Sequence, residues 1–154
     1  MGMENCCEIG PGPGDPCPEC GRAGRKVERI TLKALLRPAA LERLSPGRHR
    51  FCATASCGIV YFGDGGAFRV QDVRARVFQK EPAGGRTLCY CLGVDEDTIR
   101  REIEASGRSA SAERITALVQ AERCACEVRN PQGTCCLGNV TDIAKRADTV
   151  VALR

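Results

Sequence analysis

The chain of 154 residues has no tryptophan, one histidine and only 4% aromatic residues. Large aromatic side chains contribute much of the apolar surface in a protein core, so a core built from this composition is small. Twelve cysteines accompany this scarcity. Together, the two features indicate that bound metal supplies part of the stability that a larger apolar core would give.

The sequence also lacks a secretory signal and a membrane span. Residues 1–20 contain no Lys or Arg and no apolar run, whereas a secretory signal has both. No other stretch is long and apolar enough to cross a bilayer. We therefore expect a cytoplasmic chain without membrane insertion. Disulfides do not persist in that compartment, so clustered cysteines indicate metal or redox chemistry.

Positive charge is concentrated between Arg22 and Arg50, a stretch with nine Lys or Arg and two acids. Such a stretch can bind nucleic acid, so a zinc-dependent nucleic-acid binder is one possible class. A solvated face around small helices explains the same pattern. Because few aromatic residues remain to stack on bases, we favour the solvated face and expect no nucleic-acid partner.

The cysteines occur in pairs along a chain that we predict to be α+β. We expect a flexible, cysteine-bearing leader at residues 1–15 and a first module at residues 16–80, strand-rich and treble-clef-like or zinc-ribbon-like. A second, helical module follows at residues 86–147. The composition of residues 80–85, KEPAGG, is typical of a linker between them.

Strands of the first module are predicted at residues 26–30, 48–53, 58–63, 67–70 and 73–79. Thr31 is expected to cap a short helix that ends at Leu35, and Pro38 to begin another.

In the second module, Asp95 is expected to cap a helix that ends at Gly107, with Glu96 paired to Arg100 one turn on. Residues 111–123 form a second helix, and Asn139 caps a third.

The motif CPECG at residues 17–21 is typical of a structural zinc site. Two thiolates separated by two residues can bind one ion, and FCATASCG supplies the two further ligands. We predict one Zn²⁺ that holds the first module together, bound by Cys17, Cys20, Cys52 and Cys57. A redox-active dithiol is the alternative, but no thioredoxin-like βαβ pattern surrounds the motif.

Six further thiols flank the helices of the second module. Cys89 and Cys91 are two positions apart on an extended stretch, so both sulfurs face one side. Four more follow after two helices: Cys124, Cys126, Cys135 and Cys136. A [2Fe–2S] cluster needs four thiolates, and helix N-termini would direct N–H groups toward it. A second zinc site or free thiols are the alternatives, and spacing alone does not select among the last four cysteines.

The segment LCYCLGVDEDTI at residues 88–99 resembles the start of a [2Fe–2S] domain of the bacterioferritin-associated-ferredoxin type. The motifs CPECG, FCATASCGIVYF, CYC and CEVRNPQGTCCLG also follow the order seen in the N-terminal domain of CopZ-type copper chaperones. The chain is similar to that family over residues 16–140. The resemblance implies a zinc module and a [2Fe–2S] module whose cluster is held by Cys89, Cys91, Cys126 and Cys136, with Cys124 and Cys135 as spare thiols.

The resemblance further implies a role in copper or other soft-metal homeostasis. By family analogy, the reduced cluster would convert Cu(II) to Cu(I) for a copper chaperone or a copper-transporting pump, with an unknown electron donor. The chain has no MxCxxC loop of the kind that these chaperones carry, so we expect no copper delivery by such a loop. Cys6 and Cys7, beside Met1 and Met3, offer soft ligands that could hold Cu⁺ transiently; a free tail without ligand is the alternative.

We interpret the sequence as an electron-transfer and metal-handling protein without a catalytic residue. One alternative is an iron–sulfur sensor of redox or iron status, or a scaffold, whose partner affinity would change with the state of the cluster. The nucleic-acid binder would instead lose affinity steeply as salt rises.

Overall fold

A computed structural model of the protein describes residues 14–153. The expectations for Cys6 and Cys7, and for the methionines beside them, lie outside the described residues. The ten cysteines within this range are free thiols. Within the same range, no helix combines the length and the apolar character that crossing a bilayer requires.

A four-stranded antiparallel sheet organises the first part of the chain. Its strands are adjacent in chain order: β1 (Arg25–Val27), β2 (His49–Phe51), β3 (Ile59–Gly63) and β4 (Gly66–Arg69). Helices α1 (Arg29–Leu35) and α2 (Pro38–Leu41) lie between β1 and β2 in the chain. Leu32 of α1 packs with Phe51 and Tyr61 of the sheet in one apolar core. The strands predicted around β2 and β3 are confirmed, and β3 is rich in β-branched and aromatic residues as strands prefer.

Two local predictions for this part are wrong. Residues 73–79 do not form a strand, because Val73 makes only an isolated bridge with Leu36 and a 3₁₀ turn follows at Phe78–Lys80. Thr31 lies inside α1 and does not cap it. Its hydroxyl instead donates to the carbonyl oxygen of Glu127 at 2.6 Å.

The second part is mainly helical. A short hairpin of β5 (Thr87–Cys89) and β6 (Val94–Asp95) leads into four helices: α3 (Glu96–Ser106), α4 (Ala110–Gln120), α5 (Cys126–Arg129) and α6 (Leu137–Ala152). Asp95 caps α3 as predicted, since its carboxylate accepts from the N–H of Thr98 at 2.8 Å. The helix ends at Gly107, as predicted, with φ of 77°. The α+β class is therefore confirmed.

Two side chains in this part have partners that the sequence did not indicate. Asn139 does not cap α6, which begins earlier, at Leu137. The Asn139 amide instead donates to Gln132 Oε1 at 3.1 Å. Glu96 pairs with Arg86 at 2.6 Å rather than with Arg100.

The two parts contact each other directly. We call residues 14–80 the sheet region and residues 86–153 the helical region. The buried Tyr61 hydroxyl donates to the carbonyl oxygen of Pro131 at 2.5 Å. Gly133, with φ of 71°, passes so close to the sheet region that a Cβ there would lie 2.7 Å from Val27 Cγ2. The loop between α5 and α6 is therefore packed against β1, α1 and β3.

Candidate metal centres

Four sulfurs converge at one end of the sheet. The ligand atoms of Cys17, Cys20, Cys52 and Cys57 all lie within 4.8 Å of one another. Cys17 Sγ is 3.8 Å from Cys57 Sγ, and Cys20 Sγ is 3.7 Å from Cys52 Sγ. A tetrahedral zinc ion with Zn–S bonds of about 2.3 Å requires sulfurs about 3.8 Å apart. The four thiols therefore have the spacing of a closed tetrathiolate zinc site.

Local backbone structure places these sulfurs. The first pair lies on the tight turn that follows Pro16, where the N–H of Gly21 donates to the carbonyl of Cys17 at 2.8 Å. The second pair flanks the turn between β2 and β3. Three of the four side chains are buried, and Cys20 is half-buried. They pack with Ile59 and Phe62 in a small core of their own.

The electrostatics of this first set favour a divalent cation. A hydrogen bond with the Thr54 hydroxyl, followed by the backbone N–H of Arg22, lowers the pKa of Cys20 to about 6. Burial raises the pKa of Cys57 to about 12. Four sulfurs at this spacing cannot all be thiolates without a neutralising charge, and a coordinated metal removes the remaining protons. The chemistry of the donor set thus fits Zn²⁺.

Two charged side chains support the first set. The Glu19 carboxylate accepts from the N–H of Gly58 at 3.0 Å and pairs with Arg69. The Gly58 bond is the first cause that lowers the pKa of Glu19. On the other side, the Lys80 ammonium donates to Cys52 Sγ at 3.6 Å. Glu19 thus ties the two cysteine turns together, and Lys80 brings a positive charge to the thiolates.

The second set of thiols surrounds the hairpin and the start of α6. Cys89, Cys126 and Cys136 are buried in the core of the helical region, and Cys91 and Cys124 pack against it. The sixth thiol, on Cys135, is exposed. Residues from the hairpin, from α5 and from the loop before α6 therefore contribute to one apolar core.

Thiol and amide donors surround this second set. A hydrogen bond from Cys136 is the first cause that lowers the pKa of Cys89 to about 6, and the same bond raises the pKa of Cys136. Burial raises the pKa of Cys126 to about 11. The N–H of Ala125 donates to Cys91 Sγ at 3.2 Å, and that of Leu137 to Cys135 Sγ at 3.4 Å. Amides that donate to sulfur stabilise the negative charge of a metal–thiolate centre.

Sequence reasoning missed the polar residues that link these sets to their surroundings. Lys80 and Thr54 contact the first set, and Gln132 donates to the carbonyl of Cys135 at 2.9 Å. Tyr90 stands between Cys89 and Cys91, and its hydroxyl donates to the carbonyl oxygen of Arg76. Of these residues, only Tyr90 could have been identified from the sequence, because it lies inside the CYC motif.

The basic stretch from Arg22 to Arg50 is partly neutralised by nearby acids. Arg50 pairs with Asp15 at 3.0 Å, Arg43 with Asp72 at 3.3 Å and Lys26 with Glu28 at 2.8 Å. These pairs reduce the positive potential that the sequence alone indicates.

Comparison with known proteins relates this arrangement to copper chaperones. Residues 14–74 match the family model of the CopZ zinc binding domain. The copper chaperone CopZ of Archaeoglobus fulgidus is 32% identical over 120 residues, which are 78% of this chain and 57% of that protein. The chain thus spans little more than half the length of this relative.

The fold gives the same relationship. The X-ray structure of the Archaeoglobus fulgidus CopZ N-terminal domain is similar with a TM-score of 0.69 at 28% identity, covering 83% of this chain and 96% of that one. The match to the zinc-binding family and the four-cysteine site together support Zn²⁺ as a cofactor. Residues 14–74 of this chain therefore resemble the CopZ zinc binding domain, within a fold similar to that of the CopZ N-terminal domain.

Proposed function

We propose that this chain is a metal-handling protein of copper homeostasis that carries one Zn²⁺ and one [2Fe–2S] cluster and reduces Cu(II) to Cu(I). Cys17, Cys20, Cys52 and Cys57 hold the zinc in a module of residues 16–80. The cluster belongs to a module of residues 86–147, and its ligands are Cys89, Cys91, Cys126 and Cys136. The relationship to the copper chaperone CopZ supports copper as the metal that is handled.

The observation that carries the cluster assignment is the burial of Cys89, Cys126 and Cys136 in one core. Among residues 14–153, the first set alone brings three or more ligand atoms within 4.8 Å of one another. A more open set suits a centre of two irons, each held by two thiolates, better than a single zinc ion. The N–H of Ala125, which donates to Cys91 Sγ at 3.2 Å, also suits an anionic cluster.

The choice among the six thiols follows burial and the position of Cys136 at the start of α6. Cys126 and Cys136 are 6% and 1% exposed, whereas Cys135 is on the surface. Cys136 immediately precedes α6, a helix of 16 residues, whose N-terminal end favours negative charge on that sulfur. These features support Cys126 and Cys136 as ligands.

The exposed side of the second set offers copper a route of approach. Cys91 and Cys124 are half-buried and Cys135 is exposed, so solvent reaches this edge of the set. When bound, a [2Fe–2S] cluster takes up and releases one electron, which is the difference between Cu(II) and Cu(I). The electron would come from a donor protein, and the Cu(I) formed would pass to a copper chaperone or a copper-transporting pump.

The first test is metal content and copper reduction under anaerobic conditions. We expect one zinc, two irons and two acid-labile sulfides per chain. Protein reduced with dithionite and freed of excess reductant should be reoxidised by Cu(II), with one Cu(I) formed per cluster. A Cu(I)-specific chelator measures the Cu(I) formed, and the visible absorbance measures the oxidation of the cluster. Zinc without iron would disprove the cluster, and a cluster that stays reduced in excess Cu(II) would disprove copper reduction.

A further inference from the structure

Five consecutive residues, Arg76–Lys80, contact the surroundings of both thiol sets, and we call them the bridge segment. At its end, Lys80 donates to Cys52 Sγ at 3.6 Å and to the carbonyl oxygen of Thr54 at 2.6 Å. At its start, the carbonyl of Arg76 accepts from the Tyr90 hydroxyl, and the N–H of Phe78 donates to the same hydroxyl at 3.2 Å. The bridge segment thus holds a zinc-site cysteine at one end and the CYC motif at the other.

Both apolar cores anchor the bridge segment. Val77 is fully buried in the core of the sheet region, whereas Phe78 packs against the core of the helical region. The guanidinium of Arg86 lies 4.2 Å from the centre of the Phe78 ring. Because adjacent residues are fixed in different cores, a displacement of the segment at one core is transmitted to the other.

A third contact reaches the loop before α6. Gln79 Nε2 donates to Gln132 Oε1 at 2.6 Å, and Gln132 Nε2 donates to the carbonyl of Cys135 at 2.9 Å. Gln132 is only 5% exposed. If Gln79 no longer donated to it, the buried side-chain amide of Gln132 would have one hydrogen bond fewer, which is unfavourable. Through Gln132, the bridge segment therefore also helps to position the backbone of Cys135, the residue before Cys136.

We propose that the bridge segment couples the two metal centres, with Lys80 and Tyr90 as positioning residues. Zinc at the first set fixes Cys52 and Lys80. The segment then holds Tyr90 and Gln132 where Cys89, Cys91 and Cys136 can bind the cluster. This coupling rests on the proposed function, because it requires zinc at one set and a cluster at the other. Linkage makes it reciprocal: cluster and zinc change each other's affinity by the same factor.

The experiment compares zinc affinity with and without the cluster. Zinc affinity is measured by anaerobic competition with a chelator that leaves the visible absorbance of the cluster unchanged. The cluster-free form is prepared with dithionite and a ferrous-iron chelator. We expect zinc binding to be about tenfold weaker after cluster removal, within the usual range for coupled sites. In Tyr90→Phe, which keeps the ring and loses both hydrogen bonds, we expect this ratio to fall toward one while the visible spectrum is retained.

Two further variants make the test specific. Lys80→Met changes zinc affinity directly. It should also reduce the ratio of the zinc affinities measured with and without the cluster. Tyr61→Phe removes a hydroxyl bond between the regions that lies outside the bridge segment, so the ratio should remain near that of the native protein. A native ratio near one, or equal losses in Tyr61→Phe and Tyr90→Phe, would overturn the coupling. Protein that binds zinc but no iron would instead overturn the proposed function.

Discussion

Neighbouring cysteines in the loop before α6 have opposite exposures. Cys136 is 1% exposed and joins the core, while Cys135 lies on the surface. The Cys136 thiol forms a hydrogen bond with Cys89. The same contrast, less marked, separates the buried Cys126 from the half-buried Cys124.

Serine substitutions test this difference one thiol at a time. We expect Cys126→Ser and Cys136→Ser to lose most of the iron and the native [2Fe–2S] spectrum, because a hydroxyl is a poor replacement for a buried thiolate ligand. Cys124→Ser and Cys135→Ser serve as matched controls and should keep both. Visible absorbance and iron content of anaerobically purified protein give the readout. A reversed pattern would show that the neighbouring thiols are the ligands.

The carboxylate of Glu96 makes the most enclosed ion pair of the helical region among those described. It pairs with Arg86 at 2.6 Å, with side chains 9% and 15% exposed, and accepts from the N–H groups of Gly84 and Arg86. The hydrogen bond from Arg86 is the first cause that lowers the pKa of Glu96 to about 2. A depressed folded pKa gives stabilisation that is complete above the unfolded value near 4.5 and is lost as pH falls toward 2.

Glu96→Gln should therefore destabilise the metal-loaded protein by about 2–3 kcal/mol at pH 7, because it leaves Arg86 without its charged partner. The difference should stay constant from pH 8 to pH 5, since the carboxyl remains ionised throughout that window. Thermal unfolding midpoints of the native protein and of Glu96→Gln measure this difference in stability. Glu113→Gln, in an exposed pair with Arg108, is the control and should change stability by less than about 1 kcal/mol. A difference that failed to shrink as the pH falls from 5 toward 2 would contradict the low pKa.

At the scale of elements, prediction succeeded where the signal was local. Asp95 caps α3 because its acceptor and the Thr98 donor are three positions apart, and that spacing is visible in the sequence. β3 was predicted from composition because its residues are buried on both faces. The CxxC spacing likewise indicated half of the first thiol set.

Prediction failed where a distant partner determined the outcome. Thr31 has the chemistry of a cap, but Glu127, far along the chain, supplies its acceptor. Asn139 also resembles a cap, yet it binds Gln132. Residues 73–79 have the composition of a strand, but no strand of the sheet pairs with them, and the segment turns between two cores. Each of these depends on tertiary contacts that a single sequence does not show.

The loop between α5 and α6 contains a glycine that the packing requires. A Cβ at Gly133 would lie 2.7 Å from Val27 Cγ2 and 3.0 Å from Thr31 Oγ1, whereas one at Gly107 would meet nothing within 4 Å. Both glycines have nearly the same φ, 71° and 77°. A side chain would therefore cause the same backbone strain at both positions. Only at Gly133 would its Cβ also clash with neighbouring atoms.

Alanine at each position separates these effects. Gly107→Ala should cost about 1 kcal/mol through the left-handed backbone alone. Gly133→Ala should cost about 1–3 kcal/mol more, because Val27 and Thr31 must move. Thermal unfolding of the metal-loaded protein measures both variants. Equal losses would mean that the contact between the loop and the sheet region is loose.

For the whole molecule, the sequence indicated two sets of thiols but not how their surroundings meet. The composition of residues 80–85 predicts a linker between the two modules. In the structure, hydrogen bonds and apolar packing also join the sheet region to the helical region, through Tyr61, Thr31 and the bridge segment. Composition identifies a linker, but it gives no information on whether the parts that the linker joins also touch.

The positions of the two tyrosines have an optical consequence. The chain contains Tyr61 and Tyr90 as its only tyrosines and has no tryptophan. Both phenol hydroxyls bond to backbone carbonyls across the contact between the regions, Tyr61 to Pro131 and Tyr90 to Arg76. The intrinsic tyrosine fluorescence of the chain therefore arises from this contact. Separation of the two regions can be followed by the emission of the unlabelled protein, without introducing a probe.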